Sequence, residues 1–177
     1  LLQHVLLANH QNYTKGVGFE RVRMLLGNGI IVSNGETWRR QRTLIQPSFS
    51  RSSITKLAER IKARTLCLRD DWIELANGDA IDITVATSHY ALDLILRSIF
   101  SSDLDDMRDK EGRPLFAFLA DERTRDLDTA LRFRRLRPRI EQCIDDRLSS
   151  GKRPSDFLSA MMDARDKRTG EGMTKAE

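Results

Sequence analysis

Helical periodicity is the feature that most constrains the fold of this chain. Between residues 52 and 76, apolar side chains recur every three or four positions, and the basic side chains lie off that stripe. The stripe consists of Ile54, Leu57, Ile61, Leu68, Trp72 and Leu75. This spacing predicts one long amphipathic helix with an apolar face that must pack against another element.

The remaining chain divides into shorter helices joined by loops. Further helices are predicted over residues 19–26, 36–46, 84–100, 115–148 and 155–164. The helix over 84–100 carries apolar side chains on most of its sides, so we expect it to be buried. Pro47 should end the helix over 36–46, and Pro138 should break or kink the one over 115–148. A strand is predicted at residues 80–84, where Ile81 and Ile83 alternate with other residues. The pattern indicates a mainly α chain with one short strand.

Composition narrows the class of protein without choosing a function. The 177 residues suit one domain, and both ends look truncated because the chain begins with Leu1 and ends in a polar run. The net charge of +4 is compatible with nucleic acid, a membrane surface or an acidic protein partner. No apolar run approaches the roughly 20 residues that span a bilayer. Cys67 and Cys143 lack CxxC spacing, so we interpret both as buried thiols and assign no metal ligand.

The richest chemistry lies in residues 34–50. On a helix, Trp38 and Arg42 are four positions apart and share a face. An indole N–H and a guanidinium that point the same way suit a partly buried carboxylate or phosphate. Arg39 and Arg40 leave that face and should point towards solvent. For an isolated Trp-x-x-x-Arg, a core tryptophan with a surface arginine would be the commoner meaning.

The flanking residues favour a more specific interpretation. Residues 34–50 resemble helix C of the cytochromes P450, with its Trp-x-x-x-Arg motif followed by Pro47-Ser48-Phe49-Ser50. Other segments resemble that family in order and spacing. Helix B and its exit are matched by Asn9, Tyr13, Lys15, Gly16 and Phe19, and the B–C loop by residues 25–30. Helix E and the strand before it are matched by Asp82, Ile83 and residues 92–100. The stretch before helix I is matched by residues 156–158 and 164–171.

The resemblance implies a mainly α, partial cytochrome P450 fold from helix B to helix H, with residues 1–177 forming the amino-terminal part of a single domain. It implies a haem-thiolate monooxygenase that inserts one oxygen atom from dioxygen into a small apolar organic substrate. No segment of this sequence resembles the family segments that carry its oxygen-activation, Glu-x-x-Arg and thiolate-loop motifs. The iron ligand of haem b would therefore lie outside this chain, which we expect to be inactive alone.

Site roles follow from the same resemblance. It implies that Trp38 and Arg42 bind haem propionates and that Arg39 and Arg40 dock a reductase or ferredoxin. The residues implied for the substrate pocket are Phe19, Leu25, Ile30, Ile31 and Val32. We expect no nucleic-acid partner, no membrane segment in this chain and a cytoplasmic location, although a missing amino terminus could carry an anchor.

Two features keep alternatives open. The densest basic run consists of Arg132, Arg134, Arg135, Arg137 and Arg139. It is typical of a solvated helix face, and a partner-docking patch comes second. A non-catalytic basic helical module that binds nucleic acid or an acidic protein is therefore the rival function. The stretch between Phe100 and Ser155 also looks short for the two helices that roof the family's substrate pocket.

Overall fold

A computed structural model describes residues 1–75, 80–121 and 127–175. Its α-helices are α1 (Gly18–Leu26), α2 (Gly35–Ile45), α3 (Arg51–Leu75), α4 (Ile83–Phe100), α5 (Phe118–Asp121), α6 (Leu127–Ser150) and α7 (Phe157–Asp163). Shorter turns are a π-helical turn at His4–Ala8 and 3-10 turns at His10–Asn12, Gln46–Phe49 and Ser101–Asp106. None of the helices in these ranges is both long and apolar enough to cross a membrane.

The amino-terminal third follows the predicted pattern closely. Gly27 ends α1 with a φ of 69°, a conformation that glycine adopts without steric cost. The apolar stretch at residues 30–32 forms a turn. It closes when the amides of Val32 and Ser33 donate to the carbonyl of Gly29 at 3.0 Å. This turn delivers the chain into α2.

Proline ends a helix as expected at one of the two predicted positions. The α-helical part of α2 ends at Ile45, and Pro47 lies inside the following 3-10 turn Gln46–Phe49. At Pro138, where a break or a kink was expected, there is no break, because α6 runs from Leu127 to Ser150 with Pro138 inside it. Pro138 is exposed, so water can satisfy the carbonyl that its missing N–H leaves without a partner.

Helix α3 confirms the predicted long helix but not its burial. It spans Arg51–Leu75, while the predicted last residue, Ala76, lies outside the described residues. None of its side chains is buried. Ile54 is 47% exposed and Ile61 is 37% exposed, although both belong to the predicted apolar stripe. The apolar face of α3 is therefore only partly covered by the described residues.

The predicted strand at residues 80–84 is wrong. Helix α4 begins at Ile83, and the carboxylate of Asp82 caps it by accepting from the amides of Thr84 and Val85. A short polar side chain at an N-cap outweighs a few residues of alternating pattern. The expected all-round burial of α4 is also wrong, since its buried residues are Leu96 and Phe100, while Ile95 is 58% exposed.

The main core joins α4, α6 and α7 with the segment between α4 and α5. Phe100 and Phe116 stack at its centre with ring centroids 5.8 Å apart. The buried residues of this core are Leu96, Phe100, Met107, Phe116, Leu136, Cys143 and Leu158. The described ranges contain no strand, but two isolated antiparallel bridges pair Arg108 with Pro114 and Arg165 with Gly172. The second bridge closes a loop near the carboxyl end of the described residues.

A buried ionic network ties the core together beside these apolar residues. Arg147 of α6 is 1% exposed and donates to Asp103, to Asp156 and to the carbonyl of Phe100. Asp156 also caps α7 by accepting from the amide of Ser159 at 2.9 Å. The predicted last helix is thus confirmed as an element, but Asp156 rather than Ser155 begins it.

Candidate functional site

Helix α2 places Trp38 and Arg42 beside its buried stripe. The buried residues of this helix are Gln41, Leu44 and Ile45. Trp38 and Arg42 lie one turn apart along the edge of that stripe, and both are exposed, Trp38 by 40%. Within the described residues, neither side chain has a hydrogen-bond or ion-pair partner. The helix therefore presents an indole N–H and a guanidinium that are available to an anion.

The two neighbouring arginines behave differently from each other. Arg39 is exposed and pairs with Glu36 one turn earlier, with a nitrogen–oxygen distance of 2.5 Å. Arg40 is half-buried and donates to the carbonyl of Gly172 at 2.5 Å. The expectation that both point towards solvent is therefore correct for Arg39 and wrong for Arg40. The loop closed by the Arg165–Gly172 bridge brings an acceptor to Arg40 that helical geometry alone does not predict.

The residues expected to line a substrate pocket separate into three groups. Phe19 and Ile31 are 39% and 62% exposed, and Ile30 is half-buried. Val32 is 1% exposed, so in this conformation its side chain packs in the interior and is closed to any substrate. Leu25 belongs to α1, but its side chain lies outside what the structure describes.

Two cations hold the turn that carries Ile30, Ile31 and Val32. Lys15 Nζ donates to the carbonyls of Ile30 and Ser33 at 3.1 and 2.6 Å. Arg23 donates to the carbonyl of Val32 at 3.2 Å. Burial, together with the neighbouring Arg23 guanidinium, lowers the pKa of Lys15. Lys15 also lies over the ring of Phe19, 5.8 Å from its centroid, and so links that side chain to the turn.

Gln41 connects the same turn to α2. Its side chain is fully buried, donates to the carbonyl of Asn28 at 2.9 Å and accepts from the hydroxyl of Ser33 at 3.1 Å. Buried amides are costly unless hydrogen-bonded, so this pairing fixes the turn against the helix that carries Trp38 and Arg42. The residue pattern alone did not indicate these roles for Gln41 and Arg23. A neutral amide in line with Leu44 and Ile45 is the signal that could have identified Gln41.

The cysteines offer no clear metal centre. Cys143 is buried in α6, and burial raises the pKa of its thiol to about 11. A thiol with so high a pKa is protonated near neutral pH and is a poor metal ligand. Cys67 is exposed, which corrects the expectation that it is buried. Across the part of the chain that the structure describes, no group of three or more His, Cys, Asp or Glu side chains is arranged to hold a metal ion.

Comparison with known proteins places this geometry in a family context. The family model described as Cytochrome P450 matches residues 1–124. Two Streptomyces melanosporofaciens proteins match over the whole chain: cyclooctat-9-en-7-ol 5-monooxygenase, with 30% identity, and cyclooctatin synthase, with 29% identity. The LUTEIN DEFICIENT 5 protein of Arabidopsis thaliana is 27% identical over 63% of the chain and 19% of its own length.

The coverage of the relatives is partial. The chain spans 41% and 42% of the two Streptomyces proteins. A crystal structure of a cytochrome P450 superposes on 92% of the chain and 39% of its own length, with a TM-score of 0.71 and 22% identity. The superposition confirms the predicted fold, and the match of the family model over most of the chain shows that the chain belongs to the cytochrome P450 family.

Proposed function

We propose that this chain is the amino-terminal part of a single cytochrome P450 domain, within a haem-dependent monooxygenase that inserts one oxygen atom from dioxygen into a small apolar organic substrate. Family membership supports the reaction class, and a relative with 30% identity is named as a monooxygenase. Trp38 and Arg42 are two available donors on one edge of α2, and this pair is the observation that supports a role of the chain in binding haem.

The residues of α2 fit a haem through its carboxylates. Haem b carries two propionates, and a guanidinium with an indole N–H is a suitable donor set for such anions. Arg42 supplies positive charge as well as hydrogen bonds, whereas Trp38 supplies one donor and a flat apolar surface. Activation of dioxygen is chemistry that the bound haem supplies, and its iron ligand would lie outside this chain.

The turn at residues 30–32 is the proposed contribution to the substrate pocket. Ile30 and Ile31, together with Phe19 and Leu25, would present apolar surface to an organic substrate. Lys15, Arg23 and Gln41 hold the backbone of this turn and would keep its position constant relative to α2. Val32 would support the turn from within and would make no contact with the substrate, because it is buried.

Electron delivery is proposed to use the exposed side of α2. Arg39 is exposed, and its only ion pair in the described ranges is with the surface residue Glu36, so it could receive an acidic surface of a reductase or ferredoxin. Arg40 would contribute less to docking than first expected, because it bonds to Gly172. The rival function, a basic nucleic-acid-binding module, is less favoured. Arg137 of the basic run pairs with Glu141, and Arg132 lies over the ring of Phe118.

A spectroscopic experiment on the full-length protein tests this function. The protein is loaded with haem, reduced and exposed to carbon monoxide, and the spectrum of a thiolate-ligated complex is expected. Turnover with labelled dioxygen and an apolar panel that includes cyclooctat-9-en-7-ol should then place one labelled atom in a product. A full-length protein that binds no haem, or that shows no thiolate-ligated complex, would contradict the proposal.

A further inference from the structure

A groove of about 310 Å³ lies on a part of the chain that the proposed function does not use. It opens between the amino-terminal half of α3, the 3-10 turn Gln46–Phe49 and the segment 153–163. Its volume falls at the lower end of the range for small-molecule pockets, roughly 300–1,000 Å³. None of the residues implied by the resemblance for haem, substrate or electron donor lines this groove.

One wall of the groove is apolar and open to solvent. Phe49 and Phe157 pack edge to face with ring centroids 5.3 Å apart. Ile54 and Leu57, one turn apart on α3, continue this surface. Phe49 is 55% exposed and Ile54 is 47% exposed, so the wall presents apolar area that a ligand could remove from water.

Two cations converge on the other side of the groove. Lys56 Nζ lies 3.5 Å from the hydroxyl of Ser155, and Arg60 donates to the carbonyl of the same residue at 2.8 Å. Lys56 and Arg60 are one turn apart on α3, where like charges repel each other. Neither is paired with a carboxylate in the described ranges, so both positive charges meet only neutral oxygens.

The carboxylates that line the groove are already engaged. Asp156 is fully buried and is neutralised by Arg147 at 2.7 Å. Asp163 pairs with Arg153 at 3.1 Å. Lys56 and Arg60 therefore leave an excess of two positive charges next to an apolar wall, with the hydroxyl of Ser155 beside Lys56 as a further donor.

We propose that this groove binds an amphiphile that has a single apolar chain and an anionic head group, either a carboxylate or a phosphate monoester. The apolar chain lies along Phe49, Ile54 and Phe157. The head group accepts from Lys56, Arg60 and the hydroxyl of Ser155. An anion at this position offsets the repulsion between the two cations and adds charge-assisted hydrogen bonds, which are stronger than neutral ones.

Calorimetry on the full-length, haem-loaded protein tests this site with four probes: dodecanoate, dodecyl phosphate, dodecanol and inorganic phosphate. Both anionic amphiphiles should bind, and at least one of them about tenfold or more tightly than dodecanol and inorganic phosphate. Which of the two binds more tightly identifies the head group. Equal binding of dodecanol would overturn the role of the cations, and equal binding of inorganic phosphate would overturn the role of the apolar wall.

Variants locate the binding. Replacing both cations, Lys56→Gln with Arg60→Gln, should weaken binding of the anionic amphiphile about tenfold or more. The control is Arg51→Gln with Lys62→Gln, which removes equal charge from exposed positions of α3 outside the groove. This control should leave binding of the amphiphile unchanged. Lys56→Glu leaves the Arg60 bond to Ser155 in place and should also abolish binding, by neutralising Arg60. A ligand in the haem pocket would perturb the haem spectrum, whereas a ligand in the groove should not. Undiminished binding in the groove variants, or equal loss in the control, would overturn the proposal.

Discussion

Arg147 and Asp156 form an ion pair of 2.7 Å in which the side chains are 1% and 0% exposed. Arg147 also donates to Asp103 at 2.6 Å and to the hydroxyl of Ser159 at 3.0 Å, so its donors are distributed over two carboxylates and a hydroxyl. The pair joins α6 to the start of α7 and, through Asp103, to the 3-10 turn that follows α4. Arg147 is a buried charge with several partners. Its loss would leave Asp156 buried without a cation, whereas Asp103 would keep its ion pair with Lys152.

Arg147→Met should therefore destabilise the protein strongly. Removing one partner of a buried pair costs about 3–5 kcal/mol, because the remaining carboxylate, Asp156, stays buried without a cation. Urea unfolding followed by circular dichroism measures the effect. Arg137→Met on the same helix removes an exposed pair with Glu141 and should leave the midpoint nearly unchanged. Equal midpoints for the two variants would show that the network contributes little to stability.

Acid should weaken the same network. Burial alone would raise the pKa of Asp156, but hydrogen bonds from Arg147 and from the amide of Ser159 hold it below its ordinary value of 3.8. The pKa of Asp103 is likewise lowered, since Lys152 and Arg147 outweigh the effect of its burial.

A carboxyl with a depressed pKa contributes stability above its unfolded pKa and loses that contribution as pH falls through its folded pKa. The free energy of unfolding should therefore decline below about pH 5 and continue to fall beneath pH 3.8. Urea titrations across this range check the decline, which should be smaller in Arg147→Met. An identical acid response in that variant would exclude this network as its cause.

Charge reversal at Arg39 should slow electron transfer in the full-length protein. Arg39→Glu replaces an exposed cation by an anion and should repel an acidic donor, more so at low salt, because exposed charges are screened within about 10 Å at 0.1 M. Stopped-flow reduction across a salt series measures this. Lys62→Glu replaces a cation by an anion at an exposed position of α3, outside both α2 and the arginine run of α6, and serves as the control. Reduction rates that are insensitive to both residue 39 and salt would argue against docking at α2.

Residues 1–177 expressed alone should bind haem weakly and without thiolate ligation. The thiol of Cys143 is protonated and buried, and Cys67 sits on the exposed surface of α3. The chain also leaves large apolar side chains uncovered, with Ile73 63% and Ile95 58% exposed, and each forgoes part of the roughly 1.5–3 kcal/mol that full burial contributes. Reduction followed by carbon monoxide checks this. A thiolate spectrum that disappears in Cys67→Ser or Cys143→Ser would identify the ligand and contradict our interpretation.

The residue pattern predicted those helices and helix ends that depend on residues close together in the sequence. The apolar stripe predicted α3 to within one residue at its start, and Gly27 ended α1 as expected. The strand at residues 80–84 failed because a single side chain, Asp82, decides the conformation there by capping α4. Pro138 failed as a breaker because α6 continues on both sides of it.

Contacts between distant segments could not be predicted in the same way. Arg40 meets Gly172, and no periodicity links residues so far apart along the chain. Arg147 looked like one more member of an arginine-rich helix. Its spacing from Leu136, Ile140 and Cys143 places Arg147 on the buried side of α6. This spacing could have indicated burial, but a charged residue is normally expected at the surface.

Haem affinity of α2 variants in the full-length protein tests the central assignment most directly. Arg42→Gln and Trp38→Ala should each weaken haem binding, because a charge-assisted bond to a propionate contributes about 1.5–3 kcal/mol. Arg39→Gln, on the same helix but away from the edge that carries Trp38 and Arg42, should leave haem affinity unchanged. The measurement is a haem titration of the apoprotein for all three variants. We expect haem affinity to fall about tenfold or more for Arg42→Gln and to stay the same for Arg39→Gln. Unchanged haem affinity in both Arg42→Gln and Trp38→Ala would contradict the assignment of propionate binding to α2.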